Sequence, residues 1–109
     1  MPLHLPTAIA AYFDAANDGN SKSGAQCFSQ DAIVRDEGKH MHGRAAIESW
    51  MQANHQKYAA VATPLEVTGS EGKLRVIAQV AGTFPGSPVS LRFDFTFEKS
   101  GISVLEITL

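Results

Sequence analysis

One stretch near the carboxyl end, residues 89–97, alternates apolar and polar side chains more regularly than any other segment of the chain. Its apolar positions are Leu91, Phe93, Phe95 and Phe97, and the positions between them are Arg92, Asp94 and Thr96. Successive side chains of a β-strand leave opposite faces, so this alternation predicts a strand in a sheet with one face against a core. Such a strand requires neighbouring strands and a cover over its apolar face.

The neighbouring strands are predicted in the second half of the chain. They cover residues 61–69, 74–81 and 102–109, with turns near Gly72 and Gly101 and a loop rich in Gly and Pro at 82–88. With the alternating stretch they make an antiparallel meander of four strands.

The cover is predicted in the first half of the chain, where the apolar spacing is helical. Three helices are expected: from Pro6 to about residue 17, over 21–29 with Phe28 on its inner face, and from Gly43 to near residue 58. A brief strand at 32–34 and a polar segment at 35–42 separate the second helix from the third. Helices first and strands later favour the α+β class.

The composition fits a single domain that spans residues 1–109. Of the residues, 44% are hydrophobic and 18% charged, which is typical of globular proteins. The net charge is −2 and the nine Lys and Arg residues are scattered, which argues against a nucleic-acid partner. No apolar run is long enough to cross a membrane, no signal peptide is recognisable, and the single Cys27 excludes an internal disulfide. We therefore expect a soluble, cytoplasmic protein.

The last predicted strand is apolar on both faces, because Ile102 and Val104 oppose Leu105 and Ile107. The helices can cover only one side of the sheet. A second copy of the chain is the natural cover for the other side, so the pattern predicts a homodimer through the outer sheet face.

Three segments resemble the landmarks of a known superfamily. Residues 9–19 (IAAYFDAANDG), 28–36 (FSQDAIVRD) and 42–50 (HGRAAIESW) are similar to those of nuclear transport factor 2-like (NTF2-like) proteins, and most similar to the ketosteroid isomerase and SnoaL-like polyketide cyclase branch. The resemblance implies a cone: three N-terminal helices packed on a strongly curved, mixed or antiparallel sheet, with a cavity at the open end. It further implies a dimer that needs no metal and no organic cofactor.

Asp36 and Tyr12 are the candidate catalytic residues. Asp36 follows an apolar strand, and a carboxylate beside aromatic side chains is desolvated, which raises its pKa toward that of a useful base. The resemblance places Asp36 at the general base of ketosteroid isomerases and Tyr12 at the tyrosine that donates a hydrogen bond to the substrate oxygen. A buried phenol suits that role because its dipole is fixed before charge develops. The alternatives are a solvated loop aspartate and a core tyrosine bonded to a backbone carbonyl.

The isomerases also use a second acid on a late strand, and here the sequence departs from them. Phe93 occupies the corresponding inward position, whereas Asp94 is predicted to point away from the pocket. A shift of one residue would remove the phenylalanines from the core. True ketosteroid isomerase activity is therefore not expected.

The remaining candidates form the expected wall of a ligand site. The predicted substrate-binding residues are Phe28, Val34, His42, Trp50, Phe93 and Phe95, each of which could equally belong to the core or, for His42, to a structural position. His40 and His42 lack a third ligand nearby, so no metal site is predicted. Either histidine could instead pair with Asp36 as an acid–base dyad. His55 is expected at the surface.

Two functions from different classes remain open at this point. The first is a small-molecule-binding domain that acts as a cofactor-independent isomerase, cyclase or dehydratase on an apolar carbonyl or hydroxyl compound. The second is a non-catalytic ligand-binding or dimerisation module, which the missing second acid favours. A pocket filled by the side chains of Trp50, Phe93 and Phe95 would favour the non-catalytic module.

Overall fold

Within residues 4–109, which the computed structural model describes, six strands form one mixed sheet and three helices lie against it. The helices are α1 (Thr7–Asp18), α2 (Ser21–Ala25) and α3 (Arg44–Tyr58). The strands are β1 (Phe28–Asp36), β2 (Lys39–His42), β3 (Val61–Ser70), β4 (Lys73–Ala81), β5 (Val89–Glu98) and β6 (Gly101–Thr108). Only two of the helices precede the first strand, since α3 lies between β2 and β3. No helix in this part of the chain is long and apolar enough to cross a membrane.

The strand order across the sheet is β2-β1-β6-β5-β4-β3. The four strands from β3 to β6 pair in succession and antiparallel, which confirms the predicted meander. The first strand then joins the sheet parallel to β6, and β2 pairs with it at the edge. The last strand of the chain, β6, therefore pairs with the first, β1, within the same sheet.

The end of α1 shows how short sequence signals fix the helices. Gly19 has φ 73° and its N–H reaches the carbonyl of Ala16, while the N–H of Asn20 reaches that of Ala15. This pair of bonds is a Schellman motif, which favours glycine because the left-handed conformation costs it nothing. The predicted stop at residues 17–20 is thus confirmed.

The prediction for the second helix was partly wrong. A helix was expected over residues 21–29, but α2 ends at Ala25 and Phe28 begins β1. Phe28 pairs in register with Ile102 of β6, and the N–H of Ile102 donates to the carbonyl of Cys27. Pairing with a strand that is more than 70 residues away in the chain overrides the local helical pattern.

The predicted polar segment at 35–42 is instead the second half of a hairpin. Asp36 pairs with Lys39 across a two-residue turn, in which Glu37 has φ 52° and Gly38 has φ 75°. Positive φ at both central residues is the geometry of a type I′ turn, whose twist matches that of the two strands it joins. Asp36 therefore lies at the end of a strand, as predicted.

The core occupies the space between the helices and one face of the sheet. Its fully buried side chains include Ile9 from α1, Phe28 and Val34 from β1, Ile47 from α3, Val76 from β4, Phe95 from β5 and Leu105 from β6. Arg44, at the start of α3, donates from Nε to the carbonyl oxygen of Phe28 at 2.9 Å and so ties that helix to β1.

Candidate active site

A cavity of about 750 Å³ lies beside this core, between α1, α3 and the sheet. Its lining residues come from α1, the β1–β2 turn, α3, β3, the loop before β5, and the last three strands. The exposed residues Glu37, Gly38, Pro85 and Gly86 form its rim. A volume of this size is within the range of small-molecule sites in proteins.

Asp36 is a polar group in this mostly apolar wall. It is half-buried, and its Oδ2 accepts a hydrogen bond from the indole Nε1 of Trp50 at 3.2 Å. Trp50 projects from α3, which packs over the hairpin that ends β1. The helix therefore holds the carboxylate through one of its two oxygens.

The surroundings of Asp36 change its proton affinity. Partial burial raises the pKa of its carboxyl group above the ordinary value of 3.8, and the nearby charge of Glu37 adds to the rise. The hydrogen bond from Trp50 lowers the same pKa, as do the neighbouring Asn54 side chain and the charge of Lys39. Burial is the largest of these causes, so the net effect is a stronger base than an exposed aspartate.

Tyr12 approaches the cavity from α1. Only 4% of the residue is exposed, and its ring packs edge-on against Phe13, Phe28 and Phe95 at centroid distances of 5.3, 5.6 and 5.9 Å. These contacts fix the ring while the residue still lines the cavity. Its position is therefore set before any ligand arrives.

The hydroxyl group of Tyr12 has no hydrogen-bond partner among the described residues. No buried side-chain nitrogen or oxygen among the described residues lacks a hydrogen-bond partner. The Tyr12 hydroxyl forms no hydrogen bond with another described residue, and Tyr12 lines the cavity. Burial, together with the nearby charge of Asp36, raises the pKa of this phenol well above 10.0. Tyr12 thus remains a neutral hydrogen-bond donor at physiological pH.

Two further contacts hold the walls in place. The side-chain amide of Asn17 bonds twice to Ala62 of the edge strand β3, donating to its oxygen at 2.9 Å and accepting from its nitrogen at 2.8 Å. In the loop before β5, Thr83 donates from its backbone nitrogen to the carbonyl of Tyr58 at 2.7 Å. The ring of Phe84 then packs edge-on against that of Tyr58 at 5.7 Å. These bonds join α1 to β3, and α3 to the loop.

The structure separates the predicted wall residues into two groups. Trp50 and Phe93 line the cavity, but Phe28, Val34 and Phe95 do not, so their assignment as ligand-binding residues is corrected. The latter three lie in the closed core, with at most 2% of each residue exposed. Phe28 and Val34 lie on β1, which pairs with β6, and Phe95 lies on β5. The ring of Tyr12 in α1 packs edge-on against both Phe28 and Phe95.

His42 also requires correction, since it does not line the cavity. It lies on the edge strand β2, exposed to solvent, and pairs in register with Ile33. Because Val34 points into the core, its neighbour Ile33 and the partner His42 lie on the other face of the sheet. His40 occupies the same face two residues earlier. No group of three metal-ligating side chains occurs among residues 4–109.

Asp94 lies where the alternation predicts it. It is on the outer face of the sheet and forms a bidentate ion pair with Arg75, at 2.7 Å to Nε and 3.2 Å to Nη2. Its neighbours Phe93 and Phe95 point inward. No acid of β5 therefore lines the cavity, although the isomerase pattern requires its second acid on such a late strand.

Several lining residues were not identified from the sequence. They include Asn54, His55 and Tyr58 of α3, Phe84 of the loop, and Val89 and Leu91 of β5. His55 was expected at the surface; it is exposed, and it lies at the cavity wall. The spacing of Trp50, Met51, Asn54 and Tyr58 on one face of α3 was the available signal, since a helix that lines a cavity mixes polar residues into its inner face.

The comparisons with known proteins agree with this architecture. The profile of the SnoaL-like domain family matches residues 9–107. A Sinorhizobium meliloti protein provisionally assigned as a polyketide cyclase is 40% identical, with 95% of each chain covered and a TM-score of 0.91. No match was found among curated proteins.

More distant structures share the fold alone. A Catenulispora acidiphila protein with a ketosteroid isomerase-like fold, solved in complex with trimethylamine, is 17% identical, covers 97% of this chain and 87% of its own, and has a TM-score of 0.86. The epoxide hydrolase/cyclase-like enzyme SalBIII, which acts in pyran ring formation in the polyether salinomycin, is 20% identical over 92% and 85% of the two chains, with a TM-score of 0.79. Together, the profile match and the 40% identical relative show that the chain belongs to the SnoaL-like domain family, with its α+β, NTF2-like fold.

Proposed function

We propose that the chain is a cofactor-independent acid–base enzyme that acts on a small, largely apolar compound with a carbonyl or hydroxyl group. The observation behind this proposal is that Asp36 and Tyr12, from β1 and α1, reach the wall of one cavity. One is a carboxylate with a raised pKa, and the other is a buried phenol whose hydroxyl has no partner among the described residues. A base and a neutral hydrogen-bond donor on one apolar surface are the two groups that enolate chemistry requires.

The proposed reaction begins with a ketone whose oxygen accepts a hydrogen bond from Tyr12. Asp36 removes the proton from the carbon next to the carbonyl, and the electron pair of that C–H bond moves to form an enolate. Tyr12 stabilises the negative oxygen without transferring its own proton. Protonated Asp36 then returns the proton to another carbon, or to a leaving hydroxyl group, which regenerates the carboxylate.

Trp50 acts as a positioning residue in this scheme. Its indole N–H donates to Oδ2 of Asp36 at 3.2 Å and so restricts the orientation of the carboxylate, and we assign removal of the substrate proton to the other oxygen, Oδ1. Such fixed geometry is worth much of an enzyme's rate enhancement, because no reorganisation is needed when the reaction occurs.

The relatives favour cyclisation over double-bond isomerisation. The Sinorhizobium meliloti relative is provisionally assigned as a polyketide cyclase, and a more distant neighbour from Xanthomonas campestris has the same assignment at 20% identity. When the enolate carbon attacks a second carbonyl of the same molecule, a carbon–carbon bond forms and closes a ring, and the π electrons of that carbonyl move to its oxygen. Protonated Asp36 then gives its proton to the resulting alkoxide, so the same two residues serve both reactions. The outward position of Asp94 argues in the same direction, because the isomerase mechanism requires a second inward acid.

A non-catalytic binding or dimerisation module is the second candidate. Among the described lining residues no acid comes from a late strand, where the isomerases have their second acid, and this favours the second candidate. The open volume of about 750 Å³ argues against a purely structural role, since Trp50 and Phe93 line the cavity without filling it. In both cases we propose a homodimer through the outer face of a strongly curved sheet. On that face Ile33 and Val104 are neighbours and remain half-buried in the single chain.

The experiment that tests catalysis follows the proposed proton transfer and does not require the natural substrate. A panel of apolar ketones is incubated with the protein in D₂O, and deuterium incorporation next to the carbonyl is measured by NMR. We expect Asp36→Asn to lower the exchange rate by about 10²–10⁴-fold, the usual contribution of a general base.

The matched control is Asp31→Asn, which makes the same substitution in the same strand at an exposed position. We expect it to exchange like the unaltered protein. Equal exchange by Asp36→Asn and the unaltered protein, for a ketone that binds, would remove Asp36 from the mechanism and favour the non-catalytic module.

A further inference from the structure

The charged groups around the cavity are unequally distributed. Its wall contains two carboxylates, Asp36 and Glu37, and, among the described residues, no lysine or arginine. His55 is the one lining side chain there that can become positive. The chain as a whole has nine Lys and Arg against eleven Asp and Glu, so composition alone does not cause this imbalance.

The nearest lysines lie outside the wall. Lys39 follows the turn and lowers the pKa of Asp36 through its charge, but it is exposed and does not line the cavity. Lys57 places its Nζ 5.1 Å from the ring centroid of Tyr58, on an exposed part of α3. Neither ammonium group is therefore placed to bind an anion inside the cavity.

Six aromatic residues contribute to the apolar part of the wall. Its rings are those of Tyr12, Phe13, Trp50, Tyr58, Phe84 and Phe93. The faces of aromatic rings attract cations, most strongly where water is excluded, and this attraction acts in the same direction as that of the two carboxylates. An anion in the same space would meet two carboxylates and, among the described lining residues, no lysine or arginine.

We propose that the cavity selects its ligands by charge, binding apolar compounds with a protonated amine best, uncharged ones less tightly and carboxylates least. This inference rests on the proposed function and narrows its substrate class, because it excludes free carboxylic acids and places a basic or neutral group near Asp36. The residues that set the selectivity are Asp36 and Glu37.

Three adamantane derivatives provide a matched test, because they share one rigid apolar body and differ in the charge of a single substituent. They are 1-adamantanemethylamine, 1-adamantanemethanol and 1-adamantanecarboxylate, and their dissociation constants are measured at pH 7.5 by ligand-observed NMR. We expect the amine to bind at least about tenfold more tightly than the carboxylate, a difference of about 1.4 kcal/mol, with the alcohol between them.

Two isosteric variants, Asp36→Asn and Glu37→Gln, should each reduce the amine-to-carboxylate ratio, while Asp31→Asn on the exposed part of β1 should leave it unchanged. Equal binding of alcohol and carboxylate, or an amine weaker than the alcohol, would overturn the inference. So would an unchanged ratio in both variants.

The test also separates this inference from the proposed function. Binding of the alcohol shows whether the cavity accepts uncharged apolar molecules at all. If none of the three compounds bound, both proposals would be contradicted. If the carboxylate bound most tightly of the three compounds and ketone exchange still depended on Asp36, the charge selectivity would be contradicted. The acid–base proposal would then remain valid.

Discussion

The two ends of strand β5 show how one sequence pattern serves two purposes. Phe95 lies at the closed end of the sheet with 2% of its surface exposed, whereas Leu91 lies at the open end, half-buried, and lines the cavity. Phe93 lies between them, 5% exposed and in contact with both regions. All three point to the same face, so the strand itself does not distinguish core from cavity.

What differs is the cover over each end. At the closed end, Tyr12 and Phe13 of α1 pack edge-on against Phe95 at 5.9 and 5.8 Å. At the open end, Tyr58 and Phe84 pack on each other and line a wall, and the space between that wall and the sheet stays empty. The cavity therefore exists because α1 covers the sheet incompletely and α3 packs on β1 and β2 rather than on β4 and β5.

The largest expected difference between the two ends is in stability. Phe95→Ala should lower the free energy of unfolding by about 3–5 kcal/mol, because it opens a void in a packed core. Leu91→Ala should cost less than about 2 kcal/mol, below the range for a fully buried leucine, because that side chain already borders empty space. Urea unfolding monitored by circular dichroism measures both. Similar losses for the two variants would contradict the division into a closed core and an open cavity.

The second prediction concerns Tyr12, which belongs to both regions. Tyr12→Phe keeps the ring contacts and removes the hydroxyl that borders the cavity. We expect ketone exchange to fall by about 10²–10³-fold, the usual effect of losing one oxyanion donor, with little change in stability. The exchange assay and a urea titration on the same sample test both parts. A large loss of stability without loss of exchange would assign the hydroxyl to the core.

The smallest expected effect is the pH dependence of stability that Asp36 introduces at the open end. Its pKa is raised in the folded protein, so the folded chain holds the proton more tightly than the unfolded chain. The resulting stability is fully present below pH 3.8 and is lost as pH rises through the folded pKa. The unaltered protein should therefore lose stability relative to Asp36→Asn as pH rises above 3.8, in urea titrations at several pH values.

Trp50→Phe makes the same prediction sharper. It removes the indole N–H that lowers the pKa of Asp36, so the loss of stability should extend to higher pH than in the unaltered protein. If the free energy of unfolding changed with pH in the same way for the unaltered protein and for Asp36→Asn, the prediction would be contradicted. Asp36 would then be solvated at the open end.

The sequence predicted much of the sheet and helix content because those signals are local. Alternation identified β5 and placed Asp94 outside, and helical spacing together with Gly43 identified α3. The second helix was wrong at Phe28 because its partner, Ile102, is far away in the chain. Local propensity contains no information about such a pairing.

The candidate site was predicted only in part, because the sequence does not show which distant residues pack against each side chain. Asp36 and Tyr12 were identified, and each lines the cavity, whereas Phe28, Val34 and Phe95 belong to the core and His42 to an exposed edge. An apolar side chain in a core and one in a cavity wall look alike in a sequence. The difference depends on what packs against them.

The sequence by itself determined the α+β class, the inward face of β5 and the residues that can donate or remove a proton, because side-chain chemistry and short-range periodicity are properties of neighbouring residues. The tertiary structure decided that β1 pairs with β6, that Trp50 donates a hydrogen bond to Asp36, and that both residues line one open cavity together with Tyr12. Those features depend on contacts between residues that are distant in the chain, where packing rather than local preference fixes the outcome.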